Sequence, residues 1–270
     1  MLQTAFNPIL LEAHNPGSMT GLGNNTYLAI ASNGDAVLVD AGVGDPRHLA
    51  ALARALGDHH ARLDRVLVTH GHADHASGAA AIASARPATF AKHPWPEEDF
   101  RYAVDWQPLV DGDVVAVGDQ PLTVLHTPGH SPDHLVFWHE PSRTAFTGDL
   151  VVEGSSVMIS WSRGGNLAQY LAALERLRAL EPKVLLPAHG PKITDPDRLL
   201  IGYLEHRRLR ERQILAALQR GHATVQTIAE SIYDGLEPAL MAAARETVRA
   251  HLEKLKAEGR AVDEHGRWRM

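Results

Sequence analysis

A chain of 270 residues is long enough to bury one large core, or a medium core with a small appended one, without unusual stabilisation. It contains no cysteine, which excludes disulfides, thiolate-ligated zinc and a cysteine nucleophile. The net charge of −6 is unevenly spread: residues 1–202 hold 14 Lys/Arg against 22 Asp/Glu and residues 203–270 hold 12 against 10, a contrast that predicts two modules and, in the second, no more positive charge than a solvated helical surface carries.

The opening segment MLQTAFNPILLEAHNPG lacks a basic flank, a sustained apolar run and a small-residue cleavage site, and no stretch of about eighteen apolar residues occurs. A cytoplasmic protein without a membrane span is expected. NPGSMTGLGNNTY, rich in Gly and Asn, reads either as a plain turn or as the wall of a site. From Asn25 to about residue 190, β-rich runs alternate with helical ones: NTYLAIA and AVLVDAG as strands, PRHLAALARAL as a helix, RVLVTH as a strand, then LTVLHT, LVFW, RTAF and KVLLP. Asp40 ends the second strand, either as a turn carboxylate or as an acceptor that fixes the tautomer of a ligand histidine. A helix over Leu167–Leu180 has Asn166 as its N-cap and places Leu167, Leu171, Leu174 and Leu177 on one face. Strands with few apolar breaks, flanked by amphipathic helices, predict a layered α/β sandwich covered on its outer faces.

Beyond Ile201 three helical runs follow, punctuated by Gly221, Gly235 and Gly259, and then the short end AVDEHGRWRM. This is the winged-helix order, in whose DNA-binding form the third helix enters the major groove. A helical cap on the catalytic part, or a homodimer element, reads at least as well: Glu246, Glu253 and Glu258 interleave Arg245, Arg249, Lys254 and Lys256 and would repel phosphate. Two domains are expected, over residues 1–202 and 203–270.

Four strings carry the chemistry. THGHADH, TPGHSPDH, FTGDL and PAHGP hold His70, His72, Asp74, His75, His130, Asp149 and His189, each after a strand-like run, so one fold can deliver all seven to one sheet edge. The spacing in THGHADH arises by chance in about one of several hundred chains of this size, which makes ordinary surface or core histidines a poor account. Imidazole and carboxylate suit zinc foremost, and manganese or iron, and two such ions need six or seven protein ligands with room for water. His70 and His72, two apart on an extended end, point the same way and with His130 make a three-histidine site. Asp74, His75 and His189 would hold a second divalent ion, with Asp149 bridging. A metal-bridging hydroxide would then be the nucleophile, which accounts for the missing catalytic Ser or Cys and makes hydrolysis the expected reaction. Asp74 reads equally as a ligand alone or as a catalytic group that also orients or deprotonates this water. His134 reads as a proton donor to the leaving group or, more plainly, as a hydrogen-bonded histidine at the start of LVFW.

These strings resemble the metallo-β-lactamase superfamily over about residues 20–190. The resemblance implies an αββα sandwich with the HxHxDH motif and the later ligands at one edge, and a metal-dependent hydrolase. Zinc β-lactamases usually carry a cysteine where Asp149 stands, so this chain is more similar to the glyoxalase II and phosphodiesterase branches. The 40 residues from Asp149 to His189 are too few for the nuclease branch with a large inserted cap, and the glutamate in place of His72 and fused flavodoxin of flavodiiron proteins are absent. The whole chain most resembles the β-lactamase-like protein 2 family. NPGSMTGLGNNTYL is similar to its N-terminal loop, and the tail from YLEHRRLRERQIL to HLEKLKAEGR to its C-terminal winged-helix-like domain. An animal mitochondrial member is regarded as an endoribonuclease on single-stranded RNA, which the resemblance extends here as one function. MISWSRGGNLAQYL departs from the loop many relatives carry and would reshape the pocket. Three functions follow: the RNA endonuclease; a hydrolase of small thioesters, esters, lactones or β-lactams, with the C-terminal part as lid or dimer element; and a nucleic-acid-binding regulator with a vestigial or structural metal site. An apolar pocket beside the metals favours the second, and a long basic groove the first. The intact ligand set opposes the third, because a structural zinc is normally closed by four ligands.

Overall fold

The computed structural model describes residues 6–17 and 20–270. Ser18 and Met19 of the NPGSMTGLGNNTYL loop lie outside the described residues. Among those described, one sheet runs in the order β1 (Ile9–Glu12), β2 (Asn25–Ile30), β3 (Asp35–Val39), β4 (Arg62–Leu67), β5 (Thr89–Lys92) and β6 (Trp106–Pro108). Its first three strands pair antiparallel, and β3 to β6 run parallel. The second sheet comprises β7 (Val114–Val115), β8 (Leu122–His126), β9 (Leu135–His139), β10 (Thr144–Gly148) and β11 (Val184–Pro187), with only β10 and β11 parallel.

A two-residue period of apolar side chains builds the layers. Tyr27 and Val39 of one sheet meet Val124, Phe137 and Phe146 of the other. Their neighbours Leu28, Leu38 and Val66 turn outward onto α1 (Pro46–Asp58) and, past the short α2 (Ala73–Ala76), onto α3 (Ala79–Ala85), through Leu52, Leu56 and Ile82. After the single turn α4 (Pro96–Asp99), the outer face of the second sheet is closed by α5 (Leu167–Ala179) and α6 (Pro196–Gln219), with Tyr170, Leu174, Leu200 and Leu204 against Val136, Trp138 and Leu185. This is an αββα sandwich. The helix ends follow from capping: Asp45 accepts from the Arg47 amide at 2.8 Å with Pro46 at the first position, and Asn166 accepts from the Gln169 amide at 3.1 Å, as expected.

The division expected at residue 202 falls inside α6. Leu200, Tyr203 and Leu204 of that helix belong to the sandwich. Ile214, Ala217 and Leu218 pack instead with α7 (Val225–Ile232), α8 (Met241–Ala257) and Trp268 of the hairpin β12 (Val262–Glu264) and β13 (Arg267–Arg269). One continuous helix therefore ties two cores together. The winged-helix order is present, but its third helix, α8, packs against α5, α6, α7 and a 3₁₀ turn at Trp161–Arg163. Much of the surface of α8 is thereby committed to contacts within the chain.

His251 on α8 is buried, and neither ring nitrogen has a hydrogen-bond partner among the described residues. Burial, followed by the charge of Arg207, pushes its pKa down to about 3, so the ring is neutral. Two buried unpaired nitrogens cost stability. His251→Leu should therefore raise the melting temperature by about 2–4 °C, for a gain of about 1 kcal/mol, in a thermal melt monitored by circular dichroism.

Candidate metal centre

The strand expected over RVLVTH ends at Leu67: the Val68 amide still donates to the Ala91 carbonyl at 2.9 Å, and beyond it the Thr69 and Gly71 amides go to side chains. The Thr69 amide donates to Asp40 Oδ1 at 2.8 Å, and the Thr69 hydroxyl donates to the same carboxylate at 3.0 Å. The Gly71 amide donates to Asp133 Oδ2 at 2.7 Å, and the Gly71 carbonyl accepts from Tyr102 Oη at 2.7 Å. Asp133 is fully buried and paired with the buried Lys92, whose Nζ lies 3.0 Å away and also reaches Asp99 at 2.6 Å. Asp40 has φ of 63°, a left-handed conformation uncommon outside glycine. Its Oδ2 accepts from His75 Nδ1 at 2.9 Å, so the tautomer-fixing reading of Asp40 matches the structure.

All seven motif residues come together at this edge. His70 Nε2 lies 2.9 Å and His130 Nε2 3.1 Å from His72 Nδ1. His130 Nδ1 donates to the Met158 carbonyl at 3.0 Å, which leaves the Nε2 lone pair facing inward. His75, committed to Asp40 through Nδ1, points Nε2 to within 3.5 Å of Asp74 Oδ2 and of Asp149 Oδ1. His189 Nε2 is 3.6 Å from Asp74 Oδ2 and 3.3 Å from Asp149 Oδ1. The other oxygen of Asp149 faces His130 Nε2 at 3.5 Å. One carboxylate thus presents one oxygen to each group of three, the placement that a bridging role requires.

Two glycines make this approach feasible. A Cβ on Gly129 would sit 2.4 Å from the backbone of Tyr170, and one on Gly148, whose φ is 47°, would sit 2.8 Å from Thr69. The His130 loop and the Asp149 turn therefore rest directly on neighbouring chain.

His134 is corrected to its plainer reading. It is fully buried, its Nε2 accepts from the Asp149 amide at 3.1 Å, and its Nδ1 donates to Thr127 Oγ1 at 2.8 Å. Both nitrogens are committed to placing Asp149, so none is left for a leaving group. Sequence reasoning missed Asn24, Asp133, Lys92 and the Met158 carbonyl. Asn24 donates to Asp74 Oδ2 at 3.1 Å and is itself held by Asn15 at 2.7 Å, which makes the Gly/Asn-rich loop a wall of the site.

Electrostatics divide the seven. Burial holds His70 well below its ordinary pKa, pushes His72 to about 3 with help from His130, and lowers His130, so these three imidazoles are neutral. Burial opposes charge on His75 and His189 as well. Even so, Asp74, Asp149 and Asp40 hold His75 well above the usual range, and Asp149 and Asp74 push His189 to about 9. Burial of Asp74 and Asp149 is outweighed in turn by His75 and His189, which keep both carboxyls well below the usual carboxylate range. Protons on two imidazoles thus supply positive charge at the point where carboxylates converge.

The donor set fits divalent cations. Ligand atoms of His70, His72 and His130, of Asp74, His75 and His189, and of His70, His75 and Asp149 each lie within 4.8 Å of one another. Four ligands on a zinc ion at ~2.0–2.1 Å stand about 3.3 Å apart, close to the separations just given. Asp149 Oδ1, buried, is faced by His189 Nε2 at 3.3 Å and His75 Nε2 at 3.5 Å, the place where a cation could stand in for their protons.

Residues 19–189 match the metallo-beta-lactamase superfamily. The chain belongs to that superfamily. It is a metal-dependent hydrolase, and its residues 224–268 match the beta-lactamase associated winged helix domain. It is 31% identical to the Beta-lactamase-like protein 2 homolog of Drosophila melanogaster, over 91% of this chain and 86% of that one. It is 29% identical to an Atrochrysone carboxyl ACP thioesterase of Aspergillus fumigatus, over 80% of this chain and 66% of that one. Among solved structures, TTHA1623 in a di-iron-bound form superposes with a TM-score of 0.57 at 29% identity, over 74% of this chain and 97% of that one.

Two outcomes follow. Lys92→Met strands the buried Asp133 carboxylate without its cation and should cost about 3–5 kcal/mol in urea unfolding. In metal-stripped protein the raised pKa of His189 contributes stability that is complete below about pH 6.5 and lost as the pH rises through about 9. The melting temperature of stripped protein should fall across that window, whereas zinc-loaded protein, with cations in place of those protons, should hold steady.

Proposed function

We propose that the chain is a cytoplasmic two-metal hydrolase of small acyl thioesters and related esters, with zinc as the preferred ion and iron or manganese suited to the same ligands. In this reading His70, His72 and His130 hold one ion, Asp74, His75 and His189 hold the other, and Asp149 spans both. Bound ions would supply Lewis acidity and lower the pKa of water towards neutrality. The sandwich, with the first part of α6 through Leu204, does the chemistry, and the winged-helix-like module supports it.

The chain's own groups set the geometry. Asp40 and Met158 fix the tautomers of His75 and His130, Asn24 orients Asp74, and His134 fixes the Asp149 turn. Asp74 Oδ2 is engaged by Asn24, while Oδ1 has no hydrogen-bond partner among the described residues, which leaves it to orient the attacking water. That is the catalytic role we assign to Asp74 beyond ligation.

The observation that carries the substrate class is the cavity beside the ligands. It has a volume of about 410 Å³, with His130, Asp149 and His189 at one side and Leu22, Val151, Val152, Val157 and Met158 as its apolar wall. A space of this size and character suits an acyl group of a small molecule. The neighbouring groove carries Glu153, Asp195, Asp197 and Glu205 against Arg198, and Arg198 is already paired with Asp195 at 3.0 Å. An acidic groove repels a phosphate backbone. The similarity to the Aspergillus thioesterase supports the same reading.

The test is a substrate panel with purified protein of measured metal content. Acyl thioesters should be hydrolysed with higher kcat/KM than lactones, β-lactams or single-stranded RNA, and His72→Ala should reduce turnover to background. Cleavage of unstructured RNA by protein that leaves thioesters intact would sink the proposal.

A further inference from the structure

The segment from Val151 to Arg163 forms the apolar wall of the cavity and also carries the acceptor for His130. Side chains from the C-terminal helices grip it on both sides of that acceptor. Arg207 of α6 is buried, lies over the Tyr170 ring at 5.3 Å from its centroid, and donates through Nη2 to the Val157 carbonyl. Glu246 of α8 accepts at Oε2 from the Ser160 hydroxyl at 3.0 Å and from the Ser162 amide at 3.0 Å, capping the 3₁₀ turn at Trp161–Arg163. Between these anchors sits Met158, whose carbonyl accepts from His130 Nδ1 at 3.0 Å. Beyond the turn, the Asn166 amide donates to the Gly129 carbonyl at 2.8 Å, so the segment closes back onto the residue next to His130.

The geometry points to Arg207 and Glu246 as positioning residues for His130, and to the winged-helix-like module as a buttress of the metal centre. This rests on the reading of His130 as a metal ligand. The imidazole is useful only while Nδ1 keeps its proton on Met158 and Nε2 keeps its lone pair free. If the carbonyl moves, the ring can turn or exchange tautomer and bring an N–H to the place where a lone pair is required. The charges of the module are spent on this architecture. Lys254 pairs with Glu211 at 2.6 Å and Glu258 at 2.7 Å, and Arg249 pairs with Glu253 at 2.5 Å. Of the four cations on α8, Arg249 and Lys254 are thus paired with carboxylates, which leaves Arg245 and Lys256.

The test is a zinc titration against a chromophoric chelator, paired with thermal melts, on the full-length chain. Wild type should bind two equivalents, and failure to do so removes the ligand reading itself and the inference with it. Glu246→Leu deletes both hydrogen bonds and should weaken one equivalent by about 10–100-fold while leaving the other unchanged. Glu246→Gln keeps an oxygen that can accept both bonds and should restore wild-type affinity. Glu211→Gln breaks ion pairs within the module, and should lower the melting temperature without altering zinc affinity. Folded Glu246→Leu protein with two wild-type equivalents overturns the inference, as does a Glu211→Gln protein that loses zinc to the same degree. If Glu246→Leu does not fold, Ser160→Ala removes one of the two hydrogen bonds and should weaken the same equivalent; unchanged affinity there is equally fatal.

Discussion

The amides on either side of His70 each donate to a buried carboxylate, and the rest of the site depends on that pair of bonds. Asp40 comes from the end of β3 in the first sheet, and Asp133 from the loop leading into β9 of the second. The loop that bears four of the seven motif residues is thereby fastened to both halves of the sandwich. A hydrogen bond to a charged acceptor contributes about 1.5–3 kcal/mol, and burial here removes competition from water. Each carboxylate also has its own countercharge: Lys92 at 3.0 Å for Asp133, and His75 at 2.9 Å for Asp40. The same acids that place the loop therefore set the charge of what surrounds it.

Much of this was legible in the sequence. The strands β2, β3 and β8 to β11 alternate apolar faces over four to six residues, and the helices α1 and α5 announce their starts through Asp45 and Asn166. The short strands β1, β5, β6 and β7, of two to four residues, carry no readable period, and β4 stops at Leu67, just before Thr69 and Gly71 give their amides to side chains. The seven motif residues stood out because ligand chemistry restricts both residue type and spacing. Their supports did not. Lys92 reads as the ordinary end of TFAK, Asn24 is one polar residue in a loop of them, and Met158 contributes a carbonyl that any residue would supply. His134, four residues after His130, has the spacing of a ligand and the surroundings of a strut.

The C-terminal module keeps the winged-helix order while packing much of its third helix against the rest of the chain. Three helices and a hairpin follow the sequence of a nucleic-acid reader, and the match over residues 224–268 is to a winged helix domain associated with this superfamily. What decides the role is packing. Val248, Leu252 and Leu255 of α8 face the module's own core, while Ala250 joins the core of the sandwich, so opposite faces of one helix are committed inward. The surface left to the helix interleaves glutamates with its cations, which opposes a phosphate backbone.

Charge then connects the centre to its reaction. Three carboxylates, Asp40, Asp74 and Asp149, face two imidazoles, His75 and His189, that favour the protonated form in metal-free protein, which leaves the pocket one unit negative. Two divalent ions beside neutral imidazoles would set four positive units against the three carboxylates, a balance that a hydroxide held between the ions would return to zero. A neutral ester entering an apolar cavity would lose little on desolvation, whereas an oxyanion developing during hydrolysis would gain from cations close by in a place with little water to screen them. An RNA strand brings its negative charge before any reaction begins, and the acidic groove beside Ser155 and Ser156 would oppose its approach. Under the proposed function, the arrangement would favour substrates whose charge appears in the transition state rather than in the ground state, which is the distinction catalysis requires.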